Sequence, residues 1–514
     1  RHQTMTTLTR RNVLGLAAAG AGGLAFSASG RSIASAAEAG DGSAFVAPDQ
    51  DLQLLRRATF GPTPSTVSQI RSQGRRAWLD RQLDPGSIDD GDCARLLRER
   101  FPRVSWTIPE ARDGLEPFSW DLMFEVNMAT IARAVWSKRQ LFEVMCEFWS
   151  NHLNVTNPSD RVWDNRQDYD RTVIRRHALG RFEDMLIASA THPAMLLYLN
   201  NADSTKDNPN ENYGRELLEL HTVSVDGGYN EQDMRNSTLV MTGFGVNWAR
   251  GTFKYSTREH YRGPVSIMGF SDPNPDADGY KVGIRYLKYL ANHPATAYHL
   301  ASKLCVRFVS DQPDEALVNR LAQTYLDHGT AVVPVLRQLF QSAEFAAALG
   351  AKTRRPFEDL AATLRVLGYG PDKRGKSGIQ ALVWIADDLG QQPLAWSPPD
   401  GYPDQAASWQ SAGGTLSRWN THLSLAAHWW PDSLTQPHLR LLLPDRLPRT
   451  HGDLVDALAK RLVFRKLSAS HKAAVLGFLE RSASAPLNSD DAAVGWRLPY
   501  LVALILDTPY FWVR

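Results

Sequence analysis

The stretch "FSWDLMFEVNMATIARAVWSKRQLFEVMCEFWSNHL", residues 118–153, decides the fold class. Its apolar residues recur three and four positions apart, the period of a helix with one buried stripe. Strict alternation, the mark of a half-buried strand, is absent from it. The same helical period predicts helices over 168–200, 231–243, 281–292, 294–308, 313–327, 332–348, 355–368, 376–389, 413–428, 451–463, 467–482 and 489–506. At the front of the mature chain, Asp49 or Asp51 can cap a helix carrying Leu52, Leu54 and Leu55. Strand signals are scarce. "TFKYSTREHYRGPVSIMGF" (252–270) is the best candidate for a hairpin. The expected fold is all-α: a large multi-helical single domain over 49–514, with at most a small β-hairpin excursion near 252–270. The Pro/Gly-rich segment 271–280, or the region near 350, offers a point of subdivision.

The N-terminus reads differently. "TRRNVLGLAAAGAGGLAFSASGRSIASAAEAG" places Arg10-Arg11 before an apolar run from Val13 to about Phe26. Small residues at Ala34–Ala36 then suit a signal peptidase. Residues 1–36 are therefore expected to be a twin-arginine export signal, and 37–48 a linker. Met5 reads as the start, with "RHQT" as upstream sequence. The apolar run is too short for a membrane span. The expected location is outside the cytoplasm, extracellular or in the cell envelope. Proteins on this route fold before export, and many load a metal or cofactor first.

Composition narrows the rest. The chain has 514 residues, 43% hydrophobic and 22% charged, enough to bury a sizeable core. A net charge of +2 gives no global attraction to nucleic acid or to an anionic membrane. The 15 tryptophans suit a helical core first and stacking on flat ligands second. Cys93, Cys146 and Cys305 have no metal-ligand or redox spacing and allow at most one disulfide.

The densest chemistry lies in "DNPNENYGRELLELHTVSVDGGYNEQD", residues 207–233. Asp207 or Asn208 can cap a helix with Pro209 in its first turn. At about 100° per residue, Glu211, Asn212, Arg215, Glu216 and Glu219 share one arc. Tyr213, Gly214, Leu217, Leu218, Leu220 and His221 fill the other. The plainer reading is a solvated face held by Glu211–Arg215 and Arg215–Glu219 pairs, each worth about 0.2–0.5 kcal/mol. The chemical reading is a cleft wall. Crowded carboxylates raise one another's pKa, which suits a general acid, or they bind a divalent metal. Asn230 and Asp233 suit a cap on the next helix, and Asp226 could point back at the glutamates. His152 in "FWSNHLN", flanked by Asn151 and Asn154, could serve as acid, base or ligand. His177, His260 and His293 are weaker candidates. "SDPNPDADGYK" mimics a calcium loop at Asn274, Asp276, Asp278 and Gly279, but Arg285 stands where the bidentate Glu belongs. Trp396, Tyr402 and Trp409 surround a Pro-rich loop that either floors a pocket or packs on itself. Metalloprotease, nucleophile-elbow, Walker, covalent-haem and di-iron motifs are absent from the sequence.

The blocks "LLRRATFGPTP", "FWSNHLNV", "HALGRFEDMLIASATHPAMLLYLNN", "NPNENYGRELLELHTVSVDGGYNEQD" and "LGQQPLAWSPPDGYPDQAASW" occur in that order. Together they resemble the bacterial family catalogued as domain of unknown function 1800, over roughly residues 50–510. The resemblance implies a secreted, mainly helical protein, and it carries no settled activity. Its genes often neighbour those of an exported sulfatase-like family.

The expected function is an exported hydrolytic enzyme acting on a carbohydrate polymer or cell-envelope material. Its candidate catalytic residues are Glu211, Glu216, Glu219, His152 and Asp226. Arg215, Asn212, Asn151, Trp396 and Tyr402 are candidate substrate-binding residues. Glu216, Glu219 and His221 are candidate ligands for one divalent metal ion. Two alternatives stand beside it: an exported metal- or haem-dependent oxidoreductase, and a non-catalytic scaffold or maturation partner of a co-exported enzyme. The expected partners are a polymer or small-molecule substrate and such a co-exported protein, without nucleic acid or a membrane span.

Overall fold

The computed structural model describes residues 42–514, so the expected export signal lies outside the described residues. Among them are twenty-four α-helices and three two-stranded antiparallel sheets. The protein is all-α with minor hairpins. No helix among the described residues is long and apolar enough to cross a membrane. The helices that frame the site are α1 (Gln50–Ala58), α2 (Asp121–Trp136), α3 (Gln140–His152), α4 (Glu211–Glu216), α5 (Glu231–Val240), α6 (Pro294–Phe308), α7 (Pro356–Leu367), α8 (Ala412–Ala426) and α9 (Leu498–Leu506). Asp49 caps α1 by accepting from the Asp51 and Leu52 amides at 2.9 and 3.1 Å. One continuous buried cluster runs from Leu52 to Phe511. Residues 42–48, expected as linker, are partly docked: Gly42 packs against Gly350, and the Phe45 ring meets Tyr510 edge-on at 5.6 Å.

The 118–153 stretch is two helices rather than one. Asp90 accepts from the Ser137 hydroxyl and the Lys138 amide at 2.8 and 2.7 Å, and Gln140 donates to the Ala134 and Ser137 carbonyls. These side chains satisfy the backbone groups that a helix break exposes. The expected hairpin becomes two. β1 (Phe244–Asn247) pairs with β2 (Thr252–Tyr255), and β3 (Val265–Ile267) with β4 (Phe270–Asp272). β5 (Gly370–Asp372) and β6 (Leu434–Thr435) form a third pair too short for any alternation signal. The calcium-loop mimic does not assemble. The Asn274 side chain accepts from His260 and donates to the Tyr261 carbonyl, while Asp272 pairs with Arg285. All three cysteines are free and buried, and burial pushes the Cys93 and Cys305 thiols up to about 12.

α7 is the centre of the molecule. Every residue from Arg354 to Leu364 is buried, which is what a helix packed on all sides shows. Its first turn brings charge into that interior. Glu358 accepts from Arg307, Arg355 and Arg514 at 2.5, 3.2 and 2.7 Å. Arg355 also reaches Glu147 at 2.8 Å and Asp404 at 3.2 Å, and Arg307 reaches the same two at 3.5 and 3.8 Å. Lys352 pairs with Asp311 and donates to the Asp404 carbonyl. Four cations thus face four carboxylates. Burial alone would raise the Glu358 pKa, but the three guanidinium groups hold it well below the carboxylate range. At the next residue of the helix, Asp359 joins Asp507 in gripping His422 of α8 from both ring nitrogens at 2.8 Å each. Burial opposes the imidazolium, yet the two carboxylates raise the His422 pKa to about 9. Asp359 is its main counter-charge, since burial holds Asp507 up at about 6.

These charges fix the pH limits of stability. Glu358 is depressed, so its contribution is present above its unfolded pKa and lost as pH falls through the acid range. His422 is raised, so its contribution is complete below about 6.5 and lost as pH rises toward 9. Urea midpoints of the wild type should therefore fall from pH 6.5 to 9. His422→Gln should be less stable at pH 6 and nearly flat across that window; an unchanged slope would contradict the assignment. Glu358→Gln should cost roughly 3–5 kcal/mol near neutrality, because it strands buried guanidinium groups. A loss below about 1 kcal/mol, the value of an exposed pair, would show that the network carries no weight.

Candidate active site

The acidic helix begins one turn later than its sequence suggests. Asn210, not Asp207 or Asn208, is the cap, accepting from the Asn212 amide at 3.0 Å, and Pro209 precedes the helix. α4 crosses α5 at Gly214. A Cβ there would stand 2.3 Å from the Thr238 hydroxyl oxygen, so only glycine allows the approach. After Glu216 the backbone widens into a π-helical turn, Leu217–His221. Such turns are rare and often mark functional sites. The facial split nonetheless follows the sequence. Tyr213, Gly214, Leu217, Leu218 and His221 are buried, while Glu211 and Asn212 are exposed and Arg215, Glu216 and Glu219 half-buried.

The three glutamates have different surroundings. Arg215 sits among Glu211, Glu219 and Glu231 at 3.8, 3.4 and 3.7 Å. Glu219 also accepts from the Tyr229 hydroxyl at 2.6 Å. Glu211 and Glu219 therefore fit the plainer reading of paired surface carboxylates. Glu216 has no such ion pair. Burial raises its pKa, and Glu219 and Asp400 raise it further against a partial offset from Arg215. Asp226 stands exposed in the Gly227–Gly228 turn and meets none of the glutamates. Asn230 and Asp233 form the expected reciprocal cap of α5.

Asp400 arrives on a loop that α3 holds. The Asn151 side chain accepts from the Tyr402 amide at 3.0 Å and donates to Glu147 at 2.7 Å. Asn154 donates to the Trp396 and Pro398 carbonyls at 2.9 and 2.7 Å, and Tyr198 donates to the Ser397 carbonyl at 2.6 Å. Gly401 lies against the Asn151 backbone, where a Cβ would fall 2.2 Å from its carbonyl oxygen. The Trp396 indole donates to Asp400 at 2.7 Å. Trp396, Tyr402 and Trp409 pack ring on ring at 5.0 and 5.9 Å, so they brace the loop. Asn151 is thus a loop anchor. Asn212 is exposed and reaches only Asn200, at 3.5 Å.

Beneath the glutamate face lies a cluster of nitrogen bases. His152 Nε2 donates to the His221 carbonyl at 3.0 Å, and His299 Nε2 donates to the Leu220 carbonyl at 3.3 Å. Imidazoles from two other helices thereby cap the carbonyl groups at the end of the π-helical turn. Lys303 donates to His152 Nδ1 at 3.2 Å. Burial, then repulsion from Lys303 and the neighbouring rings, holds His152 well below its ordinary range. The same causes push His221 down to about 3. His152 is therefore a neutral, buried support for the turn.

The expected metal trio does not converge. Glu216 and Glu219 lie on the accessible face and His221 on the buried one. No group of three His, Cys, Asp or Glu among the described residues could hold a metal ion. His260 is spent on the Thr242 carbonyl and Asn274, and His293 caps α6. His177 is half-buried, with its pKa lowered by burial. Sequence reasoning missed Asp400, Tyr198, His299 and Lys303. The first two sit in blocks that carry the family resemblance. His299 and Lys303, four residues apart in "YHLASKLC", look like an ordinary amphipathic face.

Comparison with known proteins gives a family and adds no chemistry. No curated protein and no solved structure matches the chain. One family model, described as a protein of unknown function (DUF1800), matches residues 53–513. The match covers nearly the whole chain, which belongs to that family.

Proposed function

We propose that this protein is an exported hydrolase of a carbohydrate polymer or related cell-envelope material, with Glu216 as its general acid. The observation that carries the reading is the environment of Glu216: half-buried, left out of the Arg215 pairs, and raised in pKa by burial, Glu219 and Asp400. A carboxyl whose pKa is raised gives up its proton less readily to bulk water, which is the direction a general acid for a leaving oxygen needs. Asp400, from a separate loop, supplies the second carboxylate that hydrolysis of a glycosidic bond requires. Glu216 gives its proton to the departing oxygen, water attacks the sugar carbon, and Asp400 accepts the water's proton. Trp396, bonded to Asp400, fixes that carboxylate's position.

Reducing-end release from cellulose, chitin and peptidoglycan by the purified chain tests this directly. Glu216→Gln and Asp400→Asn should each lower turnover about 10²-fold or more, with thermal midpoints close to wild type. Turnover of Glu216→Gln within twofold of wild type would sink the assignment, and no release by wild type would remove the carbohydrate substrate.

One surface favours a second reading, a role as partner of a co-exported enzyme. Trp384, Trp429, Trp430 and Trp496 are 51%, 50%, 41% and 67% exposed. Trp384 and Trp430 lie parallel, 6.5 Å apart. Exposed aromatics in series mark interaction sites. Co-purification of an exported protein from the native host, lost in a Trp430→Ser/Trp496→Ser double variant, would favour this reading. Retention of that partner by the double variant would end it.

A further inference from the structure

The lower half of the site has a chemistry that the hydrolytic reading does not use. His299 and Lys303 stand one turn apart on α6 and are half-buried. Below them lie His152 and His221, each 1% exposed. The His152 ring centre is 5.9 Å from that of His299 and 6.5 Å from that of His221. Four nitrogen bases thus cluster here, two of them half-buried and two fully buried.

Their partners are unusual for buried cations. Lys352, Arg307 and Arg355 each meet a carboxylate in an ion pair. The Lys303 amine instead meets a neutral imidazole, and the carboxylates that favour its charge, Asp404 and Asp400, act from farther away. Asp404 is already committed to Arg307 and Arg355. Both ring nitrogens of His221 are buried without a hydrogen-bond partner. A buried polar group left unpaired is costly, and natural proteins rarely retain one without a use. A metal ion does not suit the space: both nitrogens of His152 are engaged, and an ammonium group stands beside them. An anion suits it. It would pair with Lys303 and accept from imidazole N–H groups, and its charge would favour protonation of His299 and His221.

We propose that Lys303, His299, His152 and His221 form a binding pocket for an oxyanion: the carboxylate, sulfate or phosphate group of an anionic polymer substrate. Lys303 supplies the fixed charge. His299 and His221 supply hydrogen bonds, each taking up a proton or presenting its N–H as the anion enters. His152 positions the Lys303 amine. His152 and His299 bond the carbonyl groups of the turn that follows Glu216, so the pocket lies against the candidate acid's own element. An anionic residue held there would set a neighbouring linkage beside Glu216. Only the choice of a polymer as the carrier rests on the hydrolytic reading; the binding itself does not.

Calorimetric titration of the intact protein at pH 6 and low ionic strength, with inorganic phosphate, sulfate, galacturonate and a galacturonate oligomer, is the test. Saturable binding of at least one monomeric anion is expected. Lys303→Met should weaken it at least tenfold, and His299→Gln at least threefold. The unliganded thermal midpoint of Lys303→Met should be no lower than that of wild type, since the change removes a desolvated charge, and that midpoint checks the fold. Tighter binding of the oligomer than of the monomer places the anion on a polymer. Equal binding assigns a free small anion and overturns the polymer part. The pocket itself is overturned if wild type shows no saturation by any probe, or if Lys303→Met and His299→Gln both bind within twofold of wild type. Calorimetry reads binding whether or not a polymer is cleaved, so absence of hydrolysis would leave this result standing.

Discussion

The contact on which the rest of the structure depends is the carboxylate of Glu358 among the guanidinium groups of Arg307, Arg355 and Arg514. A buried charge without partners costs several kcal/mol, so each group in this network must keep its neighbours in place. The partners come from separate parts of the chain. Glu147 lies on α3, four residues before Asn151 and five before His152. Arg307 lies on α6, four residues after Lys303. Asp404 lies on the loop, four residues after Asp400. The network therefore takes a residue four or five positions from a site residue on each of α3, α6 and the Asp400 loop. It sets the relative position of α3, α6 and the Asp400 loop, and does so at the N-terminus of the most deeply buried helix.

A second constraint acts from the other side. The π-helical turn after α4 ends with the carbonyl groups of Leu220 and His221 pointing into the interior, where water cannot satisfy them. His299 and His152 do so instead. The turn, α3 and α6 are thus tied by hydrogen bonds in front of the network that ties α3 and α6 by charge. Between these two fastenings lie Glu216, whose pKa Asp400 helps to raise, and Lys303, which donates to His152. The position of Glu216 depends on the widened turn beneath it as much as on its own helix.

Much of this was legible in the sequence. The helical period placed most of the helices but not those at Arg75–Leu83, Gly91–Arg100 and Ile108–Gly114, and the wheel through 211–221 divided buried from accessible residues even though half the segment is not α-helical. Its division survives because only five residues are affected, and Leu217, Leu218 and His221 remain on the inner side. By sequence, Asn151 is expected to bind substrate and Asn154 only to flank His152. They are anchors for the loop at 396–402, a long-range contact that no local pattern encodes. Metal ligation by Glu216, Glu219 and His221 failed because nearness in sequence placed them on opposite sides of one element. Within "KTRRPFEDL", residues 352–360, the sequence shows only the start of a helix expected over 355–368. Its burial follows from the partners that reach it from Glu147, Asp404 and Arg514, none of them near in sequence.

The central proposal is that Glu216 and Asp400 act on each other electrostatically at a site fixed by these two fastenings. Carbon-13 NMR titration of Glu-labelled protein reads it without any substrate. The Glu216 carboxyl should titrate above the ordinary glutamate value of about 4.3, and Asp400→Asn should lower it measurably while leaving the thermal midpoint in place. A Glu216 that titrates at the ordinary value and ignores Asp400→Asn would contradict the account.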